Sequence, residues 1–170
     1  FKPAPLQPAY GGVSNGTLNY STWGGNPVSH AGDGLYHLFV ARVPGTLASW
    51  YNTSVIDHAV ARSVNGPYAR RGTVLPAFAH NPHMVHQRFR NGTERYVLFY
   101  HGHPDGILEA DSSAPDGPFH AVAPANWSCD NPAPFWDAAD ETWYVACRTA
   151  RHGVRAAKSL GGPWTQVGAA

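Results

Sequence analysis

The feature of this sequence that most constrains its fold is a threefold internal repeat. Each copy begins with Asn-Pro, continues through a short run rich in aromatic residues and valine, and ends with Ala-x-Ser and then Gly-Pro before an aromatic residue. The Asn-Pro pairs begin at Asn26, Asn81 and Asn131, 55 and 50 residues apart, and the Gly-Pro pairs begin at Gly66, Gly117 and Gly162, 51 and 45 residues apart. A period of about 50 residues with several short strands per copy is typical of a propeller blade.

The residues between these landmarks favour short strands. Tyr, Val, Leu and Phe suit a pleated, half-buried surface, and each run is only as long as a strand. Asp33-Gly34 and Asn91-Gly92 supply the positive φ that a tight hairpin turn needs. Asn-Pro predicts the start of a strand, because proline is tolerated there but not in the middle, and Gly-Pro predicts the turn into an outer fourth strand. Each copy is therefore predicted to be a four-stranded antiparallel meander that buries its faces by stacking on its neighbours.

The repeat predicts one all-β propeller domain, residues 26–170, in which three blades are visible. The blades are expected at about 26–76, 80–124 and 130–167, while residues 1–25 would form an N-terminal segment or a strand of a preceding blade. An insertion at 44–54 is expected between the second and third strands of the first blade. Three blades do not close a ring, so we expect further blades, either from more of the same chain, which we favour, or from a neighbouring copy. Open blade edges would also permit self-association.

Composition narrows the classes of partner. The chain has 170 residues, 15 Pro, 18 Gly and a net charge of +1 with His neutral, so no basic surface for nucleic acid or for a membrane is predicted. No apolar run approaches the roughly 20 residues of a membrane-spanning helix. We therefore predict neither nucleic acid nor membrane as a partner.

Two independent signals predict a secreted protein that follows the eukaryotic secretory route. Five Asn-x-Ser/Thr glycosylation sequons occur where chance gives about one, at Asn15, Asn19, Asn52, Asn91 and Asn126. Cys129 precedes the inner strand of the third blade, and Cys147 ends the strand expected beside it, so the two ends meet. A disulfide there would add roughly 3 kcal/mol in the chain-entropy model. Two buried free thiols are the alternative.

The repeated motif resembles a known family. The order Asn-Pro, turn, Tyr-Val-Leu-Phe-Tyr, Ala-x-Ser and Gly-Pro-aromatic is similar to the five-bladed propellers of arabinanase-, β-xylosidase- and invertase-like glycoside hydrolases. Its most specific part is the Ala-x-Ser, present at 61–63, 110–112 and 157–159. The resemblance implies a five-bladed propeller and activity on glycosidic bonds, with glycans or polysaccharides as ligands and no cofactor.

The resemblance also implies where catalytic carboxyl groups would lie. These enzymes need two of them, one to protonate the leaving oxygen and one to attack or to activate water. The family usually places Asp directly before the strand-opening proline, whereas this chain has Asn26, Asn81 and Asn131 there. An amide can hydrogen-bond a sugar hydroxyl but cannot act as a general base. Asp130 is the acid nearest the predicted mouth and is therefore the catalytic candidate.

Other residue types suggest ligand contacts at the same end of the blades. Aromatic faces stack on sugar rings, and the candidates besides the three Asn are Trp50 on the insertion, His80 and Trp127. Interblade packing is the alternative for Trp127, because aromatic residues precede every Asn-Pro pair. The triplet His80, His83 and His86 alternates faces on a strand, so it forms no three-ligand site and no metal is predicted.

Three classes of function remain open from the sequence. The first is an active glycoside hydrolase, which needs carboxyl groups outside the visible blades or an unusual use of Asp130. The second is a non-catalytic glycan-binding module. The third is a structural or assembly component of an extracellular coat, wall or filament, which glycans on Asn52 and Asn126 near the mouth would favour. A fold alone does not choose among them.

Overall fold

The computed structural model describes residues 13–14, 17–18, 20–111, 113–125, 127–148 and 153–169. Most of these residues lie in three four-stranded antiparallel sheets. The first sheet contains β3 (Tyr20–His30), β4 (Leu35–Pro44), β5 (Val55–Ala61) and β6 (Ala69–Leu75). The second contains β7 (Ala79–Arg88), β8 (Glu94–Gly102), β9 (Gly106–Ala110) and β10 (Phe119–Ala121). The third contains β11 (Ala133–Asp137), β12 (Thr142–Cys147), β13 (Gly153–Ala157) and β14 (Thr165–Ala169).

Each sheet is one propeller blade with its strands in sequence order. The prediction of three four-stranded antiparallel blades is confirmed. A short hairpin of β1 (Val13–Ser14) and β2 (Thr17–Leu18) precedes them, and the first blade begins at Tyr20, six residues earlier than the repeat suggested. The insertion forms a 3-10 turn, Leu47–Ser49, and one turn of helix, α1 (Trp50–Thr53). No helix in the described part of the chain is long and apolar enough to cross a membrane.

The Asn-Pro pairs of the first two blades lie inside their strands. Asn81-Pro82 forms the β-bulge of β7, whereas Asn26-Pro27 directly follows the β-bulge of β3. Pairing along β3 moves from Trp23 opposite Ala41 to Asn26 opposite Phe39, so the strand carries one extra residue. The same step occurs in β7 between His80 and His83. Proline is tolerated there because β3 and β7 are the edge strands of their sheets and a bulge already interrupts the ladder. In these two blades the motif therefore lies inside a strand, whereas in the third blade Asn131-Pro132 directly precedes β11, as the sequence predicted.

Strand register shows which residues are equivalent between blades. Phe39 and Phe99 occupy the same place, because each pairs with the residue three positions before the alanine of Ala-x-Ser. Their partners on the first strands are Asn26 and His83. Asn26 is therefore equivalent to His83, not to Asn81.

The residue equivalent to Asn81 in the first blade is Gly24. In the third blade, Ala146 pairs with the residue three positions before Ala157 and, on its other side, with Ala133. The residue two positions before Ala133, Asn131, is therefore the equivalent of Asn81. All three residues have a left-handed backbone, with φ of 62° at Gly24, 46° at Asn81 and 50° at Asn131. Asn adopts this region more readily than most side chains do, and Gly adopts it freely. The backbone at the bulge thus accounts for the residue types at this position.

Gly25, the next residue of the first bulge, is required for a steric reason. A Cβ at Gly25 would lie 2.1 Å from the carbonyl oxygen of Phe39, and its φ is 95°. We expect Gly25→Ala to lower the free energy of unfolding by about 2 to 3 kcal/mol, through backbone strain and overpacking. Gly34→Ala is the matched control, because Gly34 has a φ of 69° but nothing within 4 Å of its Cβ. Urea denaturation of both variants measures the difference, and an equal cost would contradict the steric explanation.

Apolar clusters fill the two seams between blades. Phe39, Ile56, Met84, Tyr96 and Leu98 lie between the first and second blades. The seam between the second and third blades contains Val97, Phe99, Trp127, Trp136, Trp143 and Val145. The predicted disulfide between Cys129 and Cys147 is present and borders this second seam. It ties the segment before β11 to the end of β12, which fixes the residues on either side of it, Asp130 and Arg148.

Candidate functional site

A pocket of about 240 Å³ lies at the end of the blades where β7 begins and where β4 and β8 end. It is lined by Trp23, Leu47, Trp50, His80, Asn81, Asp130, Asn131 and Arg148. All three blades and the insertion contribute, so the site depends on the stacking of the blades and not on one sheet. Of the residues predicted from the sequence, the structure brings together Trp50, His80, Asn81, Asp130 and Asn131.

An amide pair forms the axial floor of the pocket. The Asn81 Nδ2 donates a short hydrogen bond to the Asn131 Oδ1. The left-handed backbone at both residues turns the two side chains toward each other across the blade seam. Paired amides offer both donors and acceptors to a ligand, which suits hydroxyl groups. The first blade contributes only Gly24 here, whose Cβ position lies 3.3 Å from the Asn81 Oδ1.

Asp130 is the carboxylate among the pocket-lining residues of the described chain. Its Oδ2 accepts hydrogen bonds from the Arg148 Nε at 3.1 Å and from the Arg148 Nη2 at 3.0 Å. The Arg148 backbone nitrogen also donates to the Asp130 carbonyl oxygen at 2.7 Å. From the second blade, the His101 Nε2 approaches the Asp130 Oδ1 to 3.7 Å, which is too long for a hydrogen bond. Asp130 therefore sits between Arg148 of its own blade and the His101 imidazole of the second blade.

Behind Asp130 lies a second carboxylate, that of Asp105. It accepts hydrogen bonds from the His101 Nδ1 at 2.6 Å, from the Gly102 nitrogen at 2.9 Å and from the Cys129 nitrogen at 2.8 Å. The hydrogen bond that His101 donates to Asp105 raises the pKa of His101 above its ordinary value despite the burial of the ring. Burial alone would raise the pKa of Asp105, but these three donors outweigh it and the pKa is lowered. Both shifts favour the charged form of the pair, in which the His101 imidazolium donates to the Asp105 carboxylate.

Aromatic rings form the wall of the pocket on the insertion side. The ring centroid of His80 lies 5.1 Å from that of Trp50, and Phe78 packs 5.9 Å from Trp50. His80 is 4% exposed, and its Nδ1 has no hydrogen-bond partner within the described residues. Burial, helped by the positive charge of His101, lowers the pKa of His80 to about 4. Trp23 faces them across the pocket and is 52% exposed.

Two predicted ligand residues lie outside the pocket. The Asn26 side chain is committed to Met84 of the second blade, since its Nδ2 donates to the Met84 carbonyl at 2.8 Å and its Oδ1 accepts from the Met84 nitrogen at 2.8 Å. Trp127 is 7% exposed and packs on Phe99 and Trp164 in the second seam. Both residues join elements of the fold, as the packing alternative for Trp127 allowed.

Two of the five sequons fall on described residues. Asn52 is exposed on α1, beside the pocket-lining Trp50, and Asn91 is exposed on the hairpin at the opposite end of the second blade. The Asn91 Oδ1 accepts hydrogen bonds from the nitrogen and the hydroxyl of Thr93. Asn15, Asn19 and Asn126 lie outside the described residues. No group of three His, Cys, Asp or Glu among the described side chains is placed to hold a metal ion.

Sequence reasoning did not place Arg148, Asp105 or His101 in the site. Asp130 follows Cys129 and Arg148 follows Cys147. The predicted disulfide could therefore have indicated that Asp130 and Arg148 lie close together. Asp105 lies in a Pro-Asp-Gly turn four residues after His101. That spacing resembles an ordinary turn, and only the contact with Cys129 of the next blade distinguishes it.

Comparison with solved structures identifies the architecture. The exo-β-1,3-galactanase of Phanerochaete chrysosporium bound to β-1,3-galactotriose superposes with a TM-score of 0.71 at 13% identity, covering 94% of this chain and 39% of the enzyme. A family 117 glycoside hydrolase of the marine bacterium Zobellia galactanivorans gives 0.64 at 15% identity, covering 92% and 58%. The fold is that of the five-bladed β-propeller glycoside hydrolases. The resemblance inferred from the repeat is thus confirmed as a likeness of fold.

A third neighbour has another stated specificity. A family 43 β-xylosidase/α-arabinofuranosidase from a compost metagenome, in complex with xylotriose, gives a TM-score of 0.55 at 17% identity, covering 96% of this chain and 62% of the enzyme. This chain therefore spans between 39% and 62% of the length of the three neighbours. No protein-family model and no curated protein sequence matches it.

Proposed function

We propose that this protein binds the terminal sugar of a glycan in the pocket between its three blades and does not hydrolyse it. The observation that carries the proposal is the lining: a paired amide floor, one carboxylate held by Arg148, and the Trp50 and Trp23 rings. Polar groups that converge beside aromatic faces match the alternating polar and apolar surface of a sugar ring. The pocket has about 240 Å³, smaller than the roughly 300–1,000 Å³ of drug-sized sites.

The count of carboxylates in the described residues supports the proposal that this pocket does not hydrolyse the glycan. Glycoside hydrolysis needs two carboxyl groups facing one scissile bond, about 5 to 9.5 Å apart. Asp130 faces the pocket, whereas Asp105 is engaged by three donors on the far side of His101. The described part of the chain therefore presents one acid to a ligand. The three neighbours are 13–17% identical to this chain. Identity at this level supports a shared fold, whereas the activity has to be inferred from the residues of the pocket.

Sugar binding can be tested by calorimetric titration with galactose, β-1,3-galactotriose and xylotriose. We expect one of them to bind and Trp50→Ala to weaken that binding between about two- and tenfold, since stacking on an aromatic ring contributes about 0.5–1.5 kcal/mol. The matched control is Phe135→Ala, which removes an aromatic ring exposed outside the pocket. Equal affinity of the Trp50 and Phe135 variants would contradict the proposed site.

Hydrolysis is assayed on the same protein with aryl galactoside, arabinofuranoside, xyloside and fructoside substrates. We expect no turnover. Turnover that Asp130→Asn abolishes in a folded protein would instead make Asp130 a catalytic residue and the protein an enzyme.

We further propose that the protein is secreted and carries N-linked glycans. The sequon excess and the disulfide support this, because disulfides persist in oxidising compartments. Asn52 and Asn91 are both exposed on turns, where a glycan has room. Expression in a eukaryotic secretory host should give mass increases on both peptides that an N-glycanase removes. Unmodified peptides in the secreted protein would refute glycosylation.

One observation favours the alternative of an assembly component. Phe135 lies on the innermost strand of the third blade and is 60% exposed. Its neighbour across the sheet is Tyr144, so the free face of this blade is apolar at its centre. Sedimentation of the wild type and of Phe135→Ala distinguishes the two functions. If the protein is an assembly component, the wild type should self-associate through this face and Phe135→Ala should do so less. If it is a glycan-binding module, the substitution should leave its sedimentation unchanged.

A further inference from the structure

We propose that Asp105 and His101 are positioning residues of the pocket, which hold the Asp130 carboxylate in place for a bound sugar. This inference rests on the proposed function, since it assigns a role within the same pocket. Asp130 is the pocket acid, and within the described part of its own blade its side chain is hydrogen-bonded by Arg148. Asp105 and His101 approach it from the second blade.

Asp105 acts on Asp130 along two routes. Through the backbone, its Oδ2 accepts from the Cys129 nitrogen at 2.8 Å, which fixes the residue directly before Asp130. Through the side chain, its Oδ1 accepts from the His101 Nδ1 at 2.6 Å and turns the opposite nitrogen, Nε2, toward Asp130. Asp105 thus fixes both the backbone next to Asp130 and the His101 ring that faces the Asp130 carboxylate, so it is well suited to set the geometry of the pocket.

The protonation of His101 decides the sign of its contact with Asp130. Because the Nδ1 donates to Asp105, a neutral ring points the lone pair of its Nε2 at the Asp130 carboxylate, and the two repel. A protonated ring points an N–H there instead, and the two attract. The gap of 3.7 Å leaves room for this contact to shorten when a ligand closes the site, as polar contacts in empty sites often do.

Several charged groups face His101. Asp105 lies on its own turn, Asp130 and Arg148 face it from the third blade, and His80 faces it from β7. The two carboxylates favour the protonated ring, whereas Arg148 opposes it. The rings of Phe78 and His103 pack against it at 5.3 and 6.3 Å. Sugar binding should therefore weaken as pH rises through the pKa of His101, and this pKa should depend on Asp105.

The test combines NMR titration of the His101 ring with binding of β-1,3-galactotriose between pH 5.5 and 9. In the wild type we expect affinity to fall between about three- and tenfold above the pKa of His101. In Asp105→Asn both the pKa and the loss of affinity should move to lower pH by the same interval. The control is Asp111→Asn, which breaks the exposed ion pair with His120 on the same blade and should leave both unchanged.

A second variant covers the case in which Asp105→Asn does not fold. His101→Gln leaves both backbone hydrogen bonds of Asp105 in place, and it should bind the trisaccharide with the weak affinity of the high-pH wild type at every pH. Wild-type affinity of His101→Gln at pH 6 would overturn the inference.

The NMR arm keeps the inference distinct from the proposed function. If no sugar binds, the proposed function fails, yet the His101 pKa still reports on Asp105 and Asp130. It should fall in Asp105→Asn and, by less, in Asp130→Asn. A pKa that neither substitution moves would overturn the inference whatever the protein binds.

Discussion

Acidification from pH 7 to pH 4 is expected to destabilise this protein by several kcal/mol. Two buried imidazoles carry the effect, because burial lowers the pKa of both His58 and His80 from 6.5 to about 4. Between those values the unfolded chain binds protons that the folded protein does not, so the free energy of unfolding falls as pH falls. The loss amounts to roughly 3 kcal/mol for each ring. The total free energy of unfolding of a folded domain is typically about 5–15 kcal/mol, so this loss is a large part of it.

The environment of His58 explains why it resists protonation. Its Nε2 shares a hydrogen bond of 2.9 Å with the His37 Nδ1, and its ring stacks on Phe39 at 4.8 Å. The other nitrogen of His37 bonds to Asp33 at 3.0 Å. One proton lies between the two imidazoles, and a second would place like charges in contact. Burial also lowers the pKa of His37.

Urea denaturation at pH 7, 6, 5 and 4 measures this dependence. In His58→Gln the loss of stability between pH 7 and 4 should shrink by about half, because one of the two rings no longer titrates. His120→Gln is the control, since His120 is half exposed and pairs with Asp111 at the surface. A free energy of unfolding that stays constant from pH 7 to pH 4.5 would disprove the assignment.

Replacing Asp57 by Asn is expected to cost about 3 to 5 kcal/mol of stability, the usual cost of breaking a buried ion pair. The Asp57 side chain is fully buried on β5. It accepts hydrogen bonds from the Arg42 Nε at 2.6 Å, the Arg70 Nε at 2.8 Å and the Thr73 hydroxyl at 2.8 Å. These donors come from β4 and β6, so the carboxylate joins three strands of the first blade. An amide lacks the charge that both guanidinium groups face.

The matched control for Asp57 is Glu94→Gln. Glu94 also bridges two side chains, the His86 imidazole and the Arg88 guanidinium, but it is exposed. Exposed ion pairs contribute about 0–1 kcal/mol, so this variant should be nearly as stable as the wild type. Thermal and urea denaturation give the comparison. Similar costs for the two substitutions would mean that burial does not govern the strength of the Asp57 cluster.

The fold could be predicted because the repeat states the strand pattern three times. Strand length, hairpin turns and the antiparallel order all follow from local residue types, and these are the properties that sequence reports well. The disulfide was equally accessible, since Cys129 and Cys147 flank strands that must pair.

The details of the site depend on information that local sequence does not contain. Asn26 and Asn81 both precede a proline, yet Asn81 lies within the bulge of β7, whereas Asn26 follows the bulge of β3 and bonds to Met84. Trp127 lies shortly before an Asn-Pro pair in the sequence, which suggested a place at the mouth of the pocket. In the structure it is buried among the apolar side chains of the second seam. Asp105 contacts residues of two blades, and such contacts depend on how the blades stack.

The three equivalent axial positions also have an evolutionary consequence. Two carry amides, and the third, Gly24, carries no side chain although its backbone has the left-handed shape that Asp and Asn tolerate. Its Cβ position lies 3.3 Å from the Asn81 Oδ1. A single exchange of Gly24 for Asp would therefore bring a second carboxylate to the axis, at the cost of a strained backbone and a shift of the Asn81 amide by a few tenths of an ångström. At this position, the pocket proposed to bind a sugar differs by one residue from a pocket with the two acids that a hydrolase needs.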